Sequence, residues 1–542
     1  MPKAPIDVKP DWWRGAVIYQ IYPRSFQDST DSGSGDLAGI TRRLDHVASL
    51  GVDAIWISPF FTSPLADMGY DVSDFCAVDP SFGTMADFDA LLAKAHALGL
   101  RVIIDQAFSL SSDQHPWFSE SRRSRDNAKS DWYVWADPKP DGSPPNNWLS
   151  AFGGPAWEWD GLRRQYYLHN LLIQQPDLNF HNPAVQEAVL EIVRFWLDRG
   201  VDGFRLSVCN YYFHDRKLRS NPPHPVDNNR KLPANPYGMQ LHLHDKSQPE
   251  SLGYLKRLRL LLDQYSSRIS IGEIIAEERT LEVVSDYTGG GDKLHMSYTF
   301  DLLSSDGTPT QIASAIERFE AAVPEGWVCW SLSNHDVPRH LTRWLRPGED
   351  PTRVAKLAAT LLMSLRGSIC FYQGEELGLE QSEIPFEKMQ DPRGIRFWSA
   401  DEGRDGCRTP MPWEAEAEHA GFSTVEPWLP LDARHAERAV DQQGAPGTVL
   451  DHYRRMLAFR KAHPALVTGD IQVLEGSGDL LAFDRIDGTS RLRMVFNTGR
   501  DTFVYRLPET ARLLALPGFP DVSAETGHLK MPPRSAACCQ ID

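Results

Sequence analysis

Short β-branched or apolar runs alternate along the chain with longer stretches whose apolar positions recur at helical spacing. Ala16-Val17-Ile18-Tyr19-Gln20-Ile21-Tyr22 reads as a strand. The next stretch, up to Leu50, has helical spacing, with Leu44, Val47, Ala48 and Leu50 apolar, and Gly51 closes it. Ala54-Ile55-Trp56-Ile57-Ser58-Pro59 is a second strand, Met85 to Leu98 a second helix ended by Gly99, and Arg101-Val102-Ile103-Ile104-Asp105 a third strand. Strand followed by helix in this rhythm predicts a parallel sheet.

The rhythm breaks over residues 110–179, a stretch rich in Pro, Trp, Asn, Ser and Asp. It is too long for a plain loop in a compact domain and reads as an inserted subdomain. A helix over Ala184 to Arg199 resumes the pattern, and strands follow at 203–208, 269–274, 295–300, 329–334 and 368–373. Eight strand candidates predict the α/β class and a (β/α)8 TIM barrel. An open doubly wound sheet is disfavoured, because no Gly-rich phosphate turn follows the first strand. A second irregular stretch covers 375–447, and helix 448–462 closes the barrel. From about 466 short alternating segments, such as Leu480-Leu481-Ala482-Phe483, predict a C-terminal antiparallel β domain. The expected organisation is a barrel from 1–109 and 180–465, the insertion at 110–179, and the β domain at 466–542.

Composition narrows the function classes. With 542 residues and 41% hydrophobic content, the chain can bury a large core. A net charge of -17 argues against a nucleic-acid partner or an anionic membrane surface. No apolar run reaches the ~18 residues that would span a bilayer. The N-terminus lacks the apolar segment of a secretory signal, and the seven cysteines are scattered without a CxxC pair. Reduced thiols in the cytoplasm are expected, with no disulfide framework and no zinc site.

Active sites of such barrels collect at the C-terminal strand ends. Polar residues cluster there: Asp105 on the third strand, Arg205 and Ser207 on the fourth, Glu273 on the fifth, Asn334-His335-Asp336 on the seventh. Any one of these alone reads as a strand-end cap; four at one end read as a site.

Several segments carry a family resemblance. They are Tyr19-Gln20-Ile21-Tyr22-Pro23-Arg24-Ser25-Phe26, Asp67-Met68-Gly69-Tyr70-Asp71, Gln175-Pro176-Asp177-Leu178-Asn179, Asn334-His335-Asp336, and the run from Gly403 to Trp413. In these the chain resembles the α-amylase superfamily of glycoside hydrolases (family 13), and within it the α-glucosidase, oligo-1,6-glucosidase and transglucosidase branch. The resemblance implies a small glycoside as ligand. It makes Glu273 the general acid/base and Asp336 the carboxylate that grips sugar hydroxyls. It puts Arg205 and His335 in the -1 sugar site, with Asp105 beside them. Asp67 and Arg404 become the pair on the sugar's far hydroxyl, and Tyr70 and Phe152 the stacking aromatics.

The chain also departs from that family. Position 207 matches the nucleophilic Asp, and here it is Ser207. The family mechanism needs two carboxylates roughly 5–5.5 Å apart, one attacking and one protonating. A hydroxyl is a weak nucleophile unless a base takes its proton. Leu110 stands where the family has a sugar-binding His, Leu171 where it has an aromatic, and Val208 follows Ser207. These apolar replacements predict a less polar pocket in which an unmodified glucosyl unit binds poorly. In the first loop Asp28 and Asp36 remain, but Thr30 and Ser32 replace oxygen-rich ligands. No cofactor is expected, and the loop is a poor site for calcium or magnesium.

Double displacement is therefore not expected. The leading reading is a protein of α-glucosidase lineage acting on, or binding, a small α-glucoside or a less polar glycoside-like molecule. Turnover would then use Glu273, with a water activated through Asp336. Three alternatives stand beside it: a non-catalytic barrel that kept the pocket, acid/base chemistry on a non-sugar molecule, and a laboratory nucleophile variant. Several positions depart together, which favours natural divergence over a single engineered change.

Overall fold

The computed structural model describes residues 10–225, 233–525 and 527–541. Eight parallel strands form the central sheet: β1 Val17–Ile21, β2 Ala54–Ile57, β3 Arg101–Gln106, β4 Gly203–Leu206, β5 Ile269–Glu273, β6 Met296–Tyr298, β7 Cys329–Trp330 and β8 Ser368–Tyr372. Their spatial order is β6-β5-β4-β3-β2-β1-β8-β7. A parallel bridge from Ser297 to Val328 brings the two ends together, so the sheet closes into a (β/α)8 barrel. Inward side chains fill it: Ile18, Ala54, Trp56, Ile103, Ile271 and Met296 pack as one cluster. The helices cover the outside, Leu37–Leu50 and Pro183–Asp198 turning their apolar stripes inward.

Two late strands are shorter than their apolar runs suggest. β6 ends at Tyr298 and β7 at Trp330. Beyond β7 the chain leaves the sheet, and Asn334 Oδ1 accepts the backbone N–H groups of Asp336 and Val337. Asp336 thus sits in a side-chain-closed turn and not on an extended strand tip.

β4 has a tight base. A Cβ on Gly203 would lie 2.6 Å from the Ile269 side chain, so only glycine lets β4 and β5 approach there. Register then aligns the tips. Arg205 is level with Asp105 on one side and with Ile271 on the other, and Gly272 is level with Leu206. One further step brings Ser207 level with Glu273.

After β3 the chain makes a small three-stranded sheet from Trp135–Ala136, Trp157–Asp160 and Gln165–Leu168. At the C-terminal end a five-stranded antiparallel sheet runs from Asp470–Ser477 to Ser535–Ile541, with a three-stranded sheet beside it. Both faces of the larger sheet are buried. Cys538 joins the cluster shared with the barrel, and Cys539 joins the cluster between the two sheets. Alternation along the strand sends these adjacent thiols to opposite faces. All seven cysteines are free. Among the described residues no helix is long and apolar enough to cross a membrane.

Candidate active site

The tips of β3 to β6 hold one buried charge network. Arg205 donates from Nη1 to both Asp105 oxygens, at 2.9 and 3.1 Å. Its Nη2 lies 2.7 Å from Glu273 Oε1. Tyr298 donates to the same Glu273 oxygen at 2.7 Å, and Ser207 Oγ donates to the other at 3.0 Å. Glu273 is thus gripped by three donors from β4 and β6. Burial pushes its carboxyl above the usual range, with Arg205 opposing. Cys209 Sγ meets the Glu273 carbonyl and helps fix the tip of β5.

A second chain of hydrogen bonds locks Tyr70 and His335. The Tyr70 hydroxyl gives its one proton to Asp105 Oδ2 at 2.8 Å and lies 2.6 Å from His335 Nε2. His335 Nε2 must therefore carry the proton and donate to the Tyr70 oxygen. Its Nδ1 accepts from Gln20 Nε2 at 2.7 Å. Burial takes the His335 pKa down to about 3, which fits this neutral tautomer. The Tyr70 and His335 rings stack with 4° between their planes.

The far end of the site is built on Arg404. Its Nη2 reaches Asp67 Oδ1 at 2.8 Å and Asp391 Oδ1 at 2.7 Å. Asp67 Oδ2 is held by Gln175 Nε2 at 3.1 Å, and the Arg404 guanidinium stands 5.1 Å from the centre of the Phe152 ring. Arg404 and Arg408 both bond Asp336 Oδ1, at 3.3 and 2.9 Å. Burial raises the Asp336 carboxyl, and its neighbours His335, Arg404 and Arg408 outweigh that and hold it well below the usual carboxylate range. A carboxylate so stabilised is a weak base.

These groups border a cavity of about 310 Å³, at the small end of the range for small-molecule sites. Of the residues singled out in the sequence, Asp67, Tyr70, Phe152, Leu171, Ser207, Val208, Glu273, Asp336 and Arg404 line it. Asp105, Arg205 and His335 lie behind the wall and orient it. Leu110 does not face the cavity: it packs in an apolar cluster with Tyr70, Ala107 and Leu171 and bridges to Asp177. Its effect on the pocket is therefore indirect, through Tyr70 and Leu171, and not the direct contact expected from the sequence.

Tyr298, Asp391, Tyr211 and Tyr237 are site residues that sequence reasoning missed. Tyr298 could have been found by the rule that picked out the other strand ends. Asp391 shows a helix-cap signal before Pro392, and its carboxylate accepts the Arg393 N–H, but nothing in the sequence pairs it with Arg404. Tyr211 and Tyr237 join through their hydroxyls at 3.1 Å, with buried Lys246 at 2.6 Å from the Tyr237 oxygen.

The first loop closes on two carboxylates, Asp28 and Asp36. Asp28 accepts from the Thr30 and Gly33 N–H groups and from Ser423 Oγ. Asp36 caps Leu37–Leu50 through the Gly39 N–H and also accepts from Ser29. Both carboxylates carry loop donors on each oxygen. Among the described residues no group of three or more His, Cys, Asp or Glu side chains could hold a metal.

The site is a (β/α)8 barrel mouth with acidic side chains, a buried Arg between them and a far end built on a second Arg. The model for the alpha amylase catalytic domain matches residues 20–469. A probable alpha-glucosidase of Rhizobium meliloti (strain 1021) is 56% identical over 528 residues, 96% of each chain. An oligo-1,6-glucosidase of Heyndrickxia coagulans is 34% identical, over 95% of this chain and 97% of its own. The crystal structure of an alpha-glucosyl transfer enzyme, XgtA, superposes with a TM-score of 0.95 at 51% identity, with all of both chains covered. The chain belongs to the alpha-amylase family and has an α-glucosidase-like, glycoside hydrolase lineage.

Proposed function

We propose that this protein seats the terminal glucosyl unit of an α-glucoside with an apolar aglycone, and that double displacement is closed to it. One observation carries this reading. At the tip of β4, level with Glu273, stands Ser207, and its hydroxyl is spent as a donor to Glu273 Oε2 at 3.0 Å. The base within reach of that hydroxyl is Glu273 itself, and turnover needs Glu273 protonated as the acid, so Ser207 stays a weak nucleophile. The Asp67–Arg404 clamp supports recognition of a sugar's far hydroxyls. Val208, Ile275, Phe300, Val337 and Leu171 make much of the remaining wall apolar. A neighbouring cavity of about 560 Å³ shares Phe152 and Leu171, and its rim includes Ile173 and Ile395, which are 44% and 46% exposed. These surfaces support an aryl or alkyl aglycone over a second sugar.

Glu273 is the acid in this reading. A water attacking from the Ser207 side would need a base. Asp336, tied to Arg404 and Arg408, supplies little basicity. That observation favours a second reading, a binding protein that kept the pocket and lost efficient turnover. Titration calorimetry with 4-nitrophenyl α-glucoside and with maltose tests the recognition; the aryl glucoside binds more tightly, and no heat from either sinks it. A fluoroglycoside probe leaves Ser207 unlabelled, and Glu273→Gln removes any turnover. Labelled Ser207 would overturn the chemistry.

A further inference from the structure

His169 is 3% exposed and lines the cavity of about 560 Å³ that adjoins the candidate active site. Its Nδ1 lies 3.1 Å from the Leu171 carbonyl, which can only accept, so Nδ1 carries a proton. Burial takes the His169 pKa down to about 4, so at neutral pH the ring is uncharged and Nε2 is an acceptor. Among the described residues no donor meets that nitrogen. The walls around it are largely apolar, with Phe152, Leu171, Leu172, Ile173 and Ile395. Arg396 completes the lining. It packs over Gly153 and Gly154, where a Cβ would lie 3.0 and 2.9 Å from its guanidinium, and it makes no ion pair among the described residues. An acceptor in an apolar cavity selects a molecule that brings a donor. An unpaired guanidinium attracts the face of an aromatic ring.

We propose that this second cavity binds a phenol, with its ring between the apolar wall and Arg396 and its hydroxyl donating to His169 Nε2. Each part of the lining excludes a neighbour of that class. An aryl ether brings the ring but no donor, and it leaves Nε2 without a partner. An aliphatic alcohol brings the donor but no π face for Arg396. An aromatic cation meets the like charge of Arg396. Two sources present the same group: a free phenol, and a phenolic ring in the aglycone of a glucoside held next door. Phe152 and Leu171 border both cavities, so either can arrive there. The aglycone source alone rests on the α-glucoside reading; the phenol site does not need it.

Titration of the full chain at neutral pH with 4-methylphenol, 4-methylanisole and 4-methylcyclohexanol tests this. The phenol binds tenfold or more tightly than either the ether or the alcohol. Nitrogen NMR shows the His169 Nε2 resonance moving upfield with the phenol and not with the ether. Ile395→Trp, at a rim residue that is 46% exposed, fills the cavity mouth and removes phenol binding while circular dichroism shows the fold unchanged. Equal affinity for phenol and ether, no binding of the phenol, a fixed Nε2 resonance, or a folded Ile395→Trp variant that binds like the parent would each overturn the inference. Repeating the phenol titration in the presence of 4-nitrophenyl α-glucoside separates the sources: competition assigns the cavity to an aglycone ring, and simultaneous binding assigns it to a free phenol. If no glucoside binds and the phenol still does, the phenol site stands and the α-glucoside reading falls.

Discussion

The Ser207 hydroxyl donates to Glu273 at 3.0 Å, on the oxygen that Arg205 and Tyr298 leave open. Glu273 therefore accepts from three donors, and Ser207 at the tip of β4 is one of them. Ser207→Asp reverses that relationship. It places a second carboxylate beside Glu273. The expected outcome is covalent labelling by a fluoroglycoside, detected by mass spectrometry. Turnover of 4-nitrophenyl α-glucoside should rise by about 100-fold or more, since a carboxylate nucleophile splits one difficult step into two. A variant that folds and binds the glucoside yet stays unlabelled contradicts it.

Arg404 serves three carboxylates with one planar fork, Asp67 at 2.8 Å, Asp391 at 2.7 Å and Asp336 at 3.3 Å. Lysine keeps the charge and loses the bidentate geometry. Arg404→Lys should weaken α-glucoside binding about tenfold and lower stability by roughly 2–4 kcal/mol, because a buried carboxylate loses a partner. Calorimetry and urea unfolding read the two effects. Unchanged affinity would mean that the far end of the pocket does not hold the sugar.

Tyr70→Phe removes only an oxygen, but that oxygen joins Asp105 to His335. Asp105 Oδ2 keeps Arg205 and Trp56 as donors and His335 Nε2 keeps Asp336 Oδ2 at 3.2 Å, so the loss costs about 0.5–1.5 kcal/mol. The His335 ring should also lose its fixed tautomer, visible as altered imidazole nitrogen shifts by NMR. An unshifted spectrum would show that Gln20 and Asp336 set the ring without Tyr70.

Asp177 is buried, accepts the Asn170 N–H, and burial raises its pKa to about 8. The folded state then holds a proton that the unfolded chain gives up near pH 4. Between those values the folded state binds more protons than the unfolded one, so stability falls as pH rises from about 4 to about 8 and then levels off. Asp177→Asn should flatten this slope and raise the melting temperature at pH 8.5 relative to the parent. An equal slope in both proteins assigns the pH dependence to other groups, such as Glu375, which burial also pushes up to about 8.

The barrel was legible because each of its strands is a short apolar run closed by a glycine, proline or helical pattern. The ends of β6 and β7 were not, since the apolar run continues past the last ladder bond into a turn. The acidic tips, the Asp67–Arg404 pair and Ser207 were legible from position and motif. Leu110 was placed on the cavity because its motif position faces a sugar in the family; the structure packs it behind Tyr70 and Leu171. A sequence pattern names a position but not the neighbour that screens it. Asp391, thirteen residues before Arg404, shows the same limit: long-range pairing of loop residues leaves no periodic trace.

The Arg205 network joins Asp105 on β3, its own strand β4, Glu273 on β5 and Tyr298 on β6. Four neighbouring strands are clasped at their open rim by one guanidinium. The clasp would hold the barrel mouth in shape whether or not a sugar is ever cleaved. Selection for folding alone can therefore preserve these four residues, whatever chemistry the mouth of the barrel carries out.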